Sequence, residues 1–150
     1  MENKFFPLFI NLTEKKALVI GAGKIAYRKV ETLLEYGASV SVITKEIKEE
    51  KFFNFKNLNI KIGEFDETLL NNIFIVVAAT DNNEFNKYIF ELCNSKNILV
   101  NNITSKEDMN CRFSSVLETD DYQIAISAKG NPVKSKALKN RLKNIITDLK

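Results

Sequence analysis

The sequence contains no histidine, which removes both the commonest general base and the commonest transition-metal ligand from any chemistry it performs. Catalysis must then use carboxylates, lysines, tyrosines, hydroxyls, backbone groups or a bound cofactor. Cysteine is scarce: Cys93 and Cys111 form neither a C-x-x-C pair nor part of a ligand cluster. No disulfide framework and no metal site is signalled, and both read as reduced thiols. No run reaches the roughly 18 consecutive apolar residues of a membrane span, and Met1 to Asn11 lacks the basic start and long apolar middle of a signal peptide. A cytoplasmic chain with no membrane partner is expected. Internal repeats, low-complexity stretches and flexible linkers are absent too. What remains suffices for a core: 150 residues, 45% of them hydrophobic, fit one domain or one domain plus a small appendage.

Charge is uneven along the chain. From Lys129 onward there are seven cations (Lys129, Lys134, Lys136, Lys139, Arg141, Lys143, Lys150) against one anion (Asp148), a net +6 that leaves −3 for everything before it. A polyanionic partner near the tail is one reading; a solvated helix face with ordinary lysines is the other.

The apolar pattern alternates between two periods. Lys16 to Ile20 is a short apolar run ending at a glycine, followed by Ile25, Val30, Leu33 and Leu34 at helical spacing, so strand, turn and helix are predicted. Gly37 stops that helix, and Ala38 to Ile43 supplies a second β-branched strand, completing a βαβ unit. Ile47 to Phe55 reads as helix and Leu58 to Ile62 as strand. Ile73 to Ala79 is apolar on both faces, as a central parallel strand between helix layers is. Asp81 to Ser95 follows as a helix with Phe85, Ile89 and Leu92 on one face, and Ile98 to Ile103 returns as a strand. After about Met109 the pattern changes. Phe113 to Leu117 and Gln123 to Ser127 read as an antiparallel hairpin around a turn-rich Glu118 to Asp121. Asn131 and Pro132 suit the cap and first position of a last helix, on which Leu138, Leu142, Ile145 and Leu149 form an apolar stripe. The expected fold is α/β: a Rossmann-like parallel sheet with helices on both faces over residues 1–110, and a small hairpin-and-helix dimerisation appendage over 111–150.

The chemistry-bearing motif is Gly21-x-Gly23-x-x-Ala26, weak alone but set between a strand and a helix with a second strand about 20 residues on. In that setting Gly21 permits a tight turn, and Gly23 lets the backbone amides of Lys24 and Ile25 approach a pyrophosphate. Ala26 lets helix and sheet pack closely. The alternative is a glycine turn that only connects elements. At the end of the second strand a dinucleotide fold usually offers an acid to the ribose, yet Thr44 and Lys45 stand there, with Glu46 one further on. Thr44 suits a ribose hydroxyl and Lys45 a 2′-phosphate, so these residues leave NAD against NADP open. Ala78-Ala79-Thr80-Asp81, at the carboxyl end of the buried strand, is a second ligand position; its alternative is Asp81 simply capping the next helix.

These residues match a family. Phe6-Pro7-Leu8-Phe9, the glycine turn with Arg28-Lys29, Phe65-Asp66-Glu67-Thr68-Leu69-Leu70, Ala78-Ala79-Thr80-Asp81 with Asn86, Val100-Asn101, and Ala125-Ile126-Ser127 with Gly130 and Pro132-Val133 occur in this order. Over essentially its whole length the chain resembles the precorrin-2 dehydrogenases, including the N-terminal module of siroheme synthases. The resemblance implies NAD as cofactor, oxidation of precorrin-2 to sirohydrochlorin, in some members iron or cobalt insertion, and a homodimer in which the hairpin and last helix interlock; no nucleic-acid partner and no resident metal are expected. It nominates Asn101, Thr104, Ser127, Lys129, Gly130 and Lys134 for the polycarboxylate substrate, with Lys136 beside them.

The sequence departs from the family pattern at several places. Thr104 stands where the family carries an aspartate implicated in catalysis, and threonine is no carboxylate base. Glu107 and Asp108, further along the loop, are the substitutes on offer. Ser114 replaces the usual proline, and Ala128-Lys129 a usual serine. These changes weaken metal insertion more than oxidation, because hydride transfer is the cofactor's chemistry and mainly needs orientation. A non-catalytic protein of the same fold, holding the dinucleotide or a tetrapyrrole without turnover, is the competing expectation.

Overall fold

The computed structural model describes residues 4–147, so Leu149 of the predicted stripe, and Asp148 and Lys150 of the tail charge, lie outside the described residues. The chain divides into two compact units, Met1–Cys111 and Arg112–Lys150.

The first unit is built on five parallel strands: β1 (Lys16–Ile20), β2 (Ser39–Thr44), β3 (Asn59–Ile62), β4 (Ile75–Ala78) and β5 (Leu99–Asn102), in the order β3-β2-β1-β4-β5. The order reverses between β1 and β4, which opens a crevice at their carboxyl ends. Helix α1 (Lys24–Glu35) packs on β1 and β2, and α2 (Asn83–Ser95) on β4 and β5. This is the expected α/β fold class. Strand β4 shows why the sequence reads as it does: Val76, Val77 and Ala78 are wholly buried, each large aliphatic side chain contributing about 1.5–3 kcal/mol. Leu18, Ile20, Ile43, Val100 and, from α2, Ile89 and Cys93 share that core. At the far edge β5 is closed by residues 109–111, not by another strand. Asn110 accepts from Val100 N–H at 2.7 Å and donates to Ile98 C=O at 3.0 Å, which satisfies a strand edge otherwise open to pairing.

Three local readings change. The helix predicted over residues 47–55 is only a 3₁₀ turn, Glu50–Asn54. The N–H groups of Lys48 and Glu49 both donate to Ala22 C=O, at 3.0 and 3.1 Å, so this stretch is tied to the glycine turn before a helical ladder can start. Asp81 does not cap α2; Asn82 does, accepting from Phe85 N–H at 2.9 Å. On α1 the buried face is Ala26, Val30 and Leu33, whereas Ile25 is 46% exposed and turns toward the crevice.

The second unit holds an antiparallel hairpin, β6 (Ser115–Glu118) and β7 (Gln123–Ile126), and a helix, α3 (Pro132–Thr147). Asn131 caps α3 as expected, accepting from Lys134 N–H at 3.1 Å. Of the apolar stripe, Leu142 is half-buried and the outer members stay open to solvent. Among the described residues, the one α3 buries fully is Ser135, whose hydroxyl bonds Ser115 at 3.2 Å, while Leu138 and Ile145 remain 46% and 56% exposed.

Candidate functional site

A cleft of about 720 Å³ opens at the carboxyl ends of β1, β2 and β4, the place where open α/β sheets bind ligands. Its floor is the glycine turn. Gly21 has φ +108°, and a Cβ there would lie 2.4 Å from Ala79 C=O, so only glycine lets β1 turn this close to β4. Gly23 is different in kind: a Cβ would meet no protein atom within 4 Å. Nothing in the fold itself demands glycine at that position. What its missing side chain leaves is open space at the start of α1, whose first turn receives no side-chain cap. Uncapped amides and the helix dipole there suit an anion, and the space at Gly23 lets it approach the backbone.

The β2 end supplies Thr44, Lys45 and Glu46. Thr44 is buried and donates its hydroxyl proton to Glu46 C=O at 2.7 Å, so toward a ligand it has only lone pairs to offer. Lys45 pairs with Glu64 at 3.1 Å, both largely exposed. The β4 end supplies Ala79, Thr80 and Asp81. Asp81 accepts from Lys48 at 2.6 Å, and Glu46 stands 3.4 Å from the same ammonium. The Lys48 hydrogen bond and charge hold the Asp81 carboxyl below its ordinary range, and Asp81 in turn holds the Lys48 ammonium above its own. Both groups are therefore ionised across the neutral range.

Behind Thr80 lies a buried amide hub. Asn86, fully buried, accepts from Thr80 N–H and from its hydroxyl at 3.2 and 2.6 Å, and donates to Thr80 C=O at 3.0 Å and to the Thr104 hydroxyl at 3.2 Å. Thr104 passes its own proton to Asn102 Oδ1 at 2.9 Å, while Asn102 Nδ2 is buried without a hydrogen-bond partner. The hub fixes the β4 and β5 loops against each other.

All nine residues nominated for a cofactor, Gly21, Gly23, Lys24, Ile25, Thr44, Lys45, Ala79, Thr80 and Asp81, line this one cleft, as does Thr104. Asn101 does not. Its amide is buried and donates to Cys111 C=O at 3.1 Å, which ties the end of β5 to the 109–111 segment. Glu107 and Asp108 are also outside the cleft lining; their N–H groups close a turn on Ser105 Oγ. Ser127, Lys129, Gly130 and Lys134 belong to the second unit. There Lys129 (φ +51°) and Gly130 (φ +86°) make the left-handed turn into α3, and Ser127, Lys129, Lys134 and Lys136 are exposed. Lys48 was not legible as a site residue, because only the strand order brings the loop after β2 within reach of the loop after β4.

The cysteines are not part of this chemistry. Burial pushes both thiols up to about 12, which leaves them protonated and poor nucleophiles. Burial likewise lowers the Lys29 ammonium, which lies near Cys111. No helix among the described residues is long and apolar enough to cross a membrane.

Comparison with known proteins agrees with this geometry. The profile of a family described as "Putative NAD(P)-binding" matches residues 8–115. The siroheme synthase of Buchnera aphidicola subsp. Acyrthosiphon pisum is 36% identical over 145 residues, and that of Blochmanniella floridana 34% over 146. Each match covers 95% of this chain but only 31% and 32% of the relative, so the chain spans about a third of their length. Among solved structures, "SirC, precorrin-2 dehydrogenase" superposes with a TM-score of 0.78 at 25% identity, covering 93% of this chain and 70% of that one. The resemblance read from the ordered motifs is borne out.

Proposed function

We propose, from the premise that this chain belongs to the NAD(P)-binding family matched over residues 8–115, that it is an NAD-dependent oxidoreductase converting precorrin-2 to sirohydrochlorin. The observation that carries the reading is the space at Gly23: a position with room for a side chain, left empty beside the uncapped start of α1. A diphosphate fits that description in charge and in the backbone approach it requires. Siroheme synthases, and a structural neighbour named as a precorrin-2 dehydrogenase, supply the substrate class.

On this reading the amides of Lys24 and Ile25 hold the diphosphate. Thr44 accepts from the adenosine ribose. Thr80 and Asp81, steadied by the Asn86 hub, border the other half of the cofactor. The bound nicotinamide supplies the hydride acceptor, and the protein's part is to orient donor and acceptor and exclude water. Ser127, Lys129, Gly130, Lys134 and Lys136 of the second unit are proposed to meet the carboxylates of the substrate, its exposed lysines concentrating a polyanion. The protein is further proposed to be a cytoplasmic homodimer joined through that unit. Support comes from two unpaired thiols, as a reducing compartment keeps them, and from the outward-facing Val133, Leu138 and Ile145. Supplying precorrin-2 and NAD⁺ and following reduced-nicotinamide absorbance tests the activity. A rate above the uncatalysed background is expected; none, with cofactor bound, removes it.

Thr104 favours a second reading. Its hydroxyl is committed to Asn102 and Asn86, and the nearby Glu107 and Asp108 do not line the cleft. A protein that binds cofactor or tetrapyrrole without turnover would have this site. Tight tetrapyrrole binding with no nicotinamide reduction selects it, and metal insertion is not expected under either reading.

A further inference from the structure

The ion pair between Lys48 and Asp81 lies in an unusual place. Lys48 follows β2 and Asp81 follows β4, and β1, which runs into the glycine turn, lies between those two strands. A side chain reaching from one loop to the other therefore passes over the carboxyl end of β1. The Lys48 backbone is fixed to that same turn, because its N–H and that of Glu49 both donate to Ala22 C=O. Lys48, Asp81, Glu46 and the glycine turn all line the one cleft. Lys48 is thus a cation tied through its own backbone to the turn, and it stands between two carboxylates, at 2.6 Å from Asp81 and 3.4 Å from Glu46.

Resting on the dinucleotide reading of this cleft, we infer that Lys48 is a diphosphate-binding residue held in reserve by Asp81, and that cofactor entry exchanges the carboxylate for the diphosphate. The direction of the exchange follows from charge and exposure. Asp81 offers one negative charge on a side chain that is 79% exposed, so water screens the pair and it is cheap to open. A diphosphate seated on the α1 amides offers more charge, is fixed by several donors at once, and lies beside the backbone that carries Lys48. Releasing Asp81 also has a use. The freed carboxylate is an acceptor at the β4 end, where the nicotinamide-side ribose would present its hydroxyls. Each half of the broken pair thus has a partner in the incoming molecule, and neither charge is left alone.

The exchange is testable with ADP, which carries the diphosphate but no nicotinamide ribose, and adenosine, which carries neither. Calorimetric titration of the full chain should show Lys48→Met binding ADP about tenfold more weakly, the loss of one charge-assisted contact. Its adenosine affinity should be unchanged, and Lys48→Arg should restore most of the ADP affinity. Asp81→Asn should bind ADP about threefold more tightly, because the competitor for Lys48 is gone. Both positions are solvent-exposed, so unchanged melting temperatures are expected. Lys48→Met binding ADP as well as the parent chain overturns the inference, as does equal loss of adenosine affinity or weaker ADP binding by Asp81→Asn. Failure of the parent chain to bind either ADP or NADH would instead overturn the dinucleotide reading on which the inference rests.

Discussion

The two units solve the problem of stability in opposite ways. The first buries β4 completely and surrounds it with aliphatic side chains from β1, β2, β5, α2 and the turn at Leu70. The second buries only Leu117, Ile126 and Ser135 among its described residues, and its helix docks through a hydroxyl while Tyr122, Val133, Leu138 and Ile145 face outward. An isolated two-stranded hairpin is marginal in water, and so small a unit rarely supports itself. The difference teaches where function resides. The first unit buries the strand ends that carry the cleft, whereas the second leaves much of its apolar surface open to solvent.

The largest expected effect lies inside the first unit. Gly21→Val should cost about 3–5 kcal/mol, from positive φ and a clash with the Ala79 carbonyl; urea denaturation measures it, and a variant as stable as the parent would show that β1 and β4 do not approach as described. Ile89→Ala, which opens a cavity beneath β4, should cost about 3 kcal/mol by the same measurement. Gly23→Asp sharpens the contrast within the turn. Its side chain has room, so the fold should melt unchanged, yet NADH affinity should fall about hundredfold, equal to about 2.7 kcal/mol; retained affinity would move the diphosphate elsewhere.

How much of this was legible depended on whether a residue acts through its neighbours in sequence or in space. Gly21 and Gly23 announce themselves by their spacing after an apolar run, and β4 by being apolar on both faces. The parallel sheet follows from the β-α alternation, but its strand order does not. The short turn at Glu50–Asn54 was illegible, because what stops a helix there is two amides spent on Ala22. The bond from the Asn101 amide to Cys111 C=O was illegible for the same reason, because it joins a strand end to a segment ten residues on. On α3 the periodic leucines pointed to a packed face, yet the residue buried fully among those described is Ser135 while Leu138 and Ile145 stay exposed, so periodicity alone did not tell which neighbour the stripe meets.

Smaller effects separate the units further. Cys93 and Cys111 belong to the first, and burial raises both to about 12. The folded chain keeps these protons after the unfolded chain has begun to lose them near about pH 8.5. Stability should therefore be intact below that pH and fall as pH rises toward 12, by up to about 1.4 kcal/mol per pH unit for each thiol. Denaturation midpoints that hold constant between pH 8 and 10 would contradict the burial. Least of all, Leu138→Ser on α3 should change the stability of a single chain by under about 0.5 kcal/mol, while shifting any dimer seen by sedimentation toward monomer. A large loss of stability in dilute solution would mean that this leucine packs within its own chain.

The most direct test of the central claim is an amide-resolved NMR titration of the chain with NADH. The account predicts that the largest shifts fall on Gly21, Gly23, Lys24 and Ile25, with a second group at Thr44 to Lys48 and at Ala79 to Asp81. Saturable binding that leaves the Gly23 and Lys24 amides unmoved would contradict it.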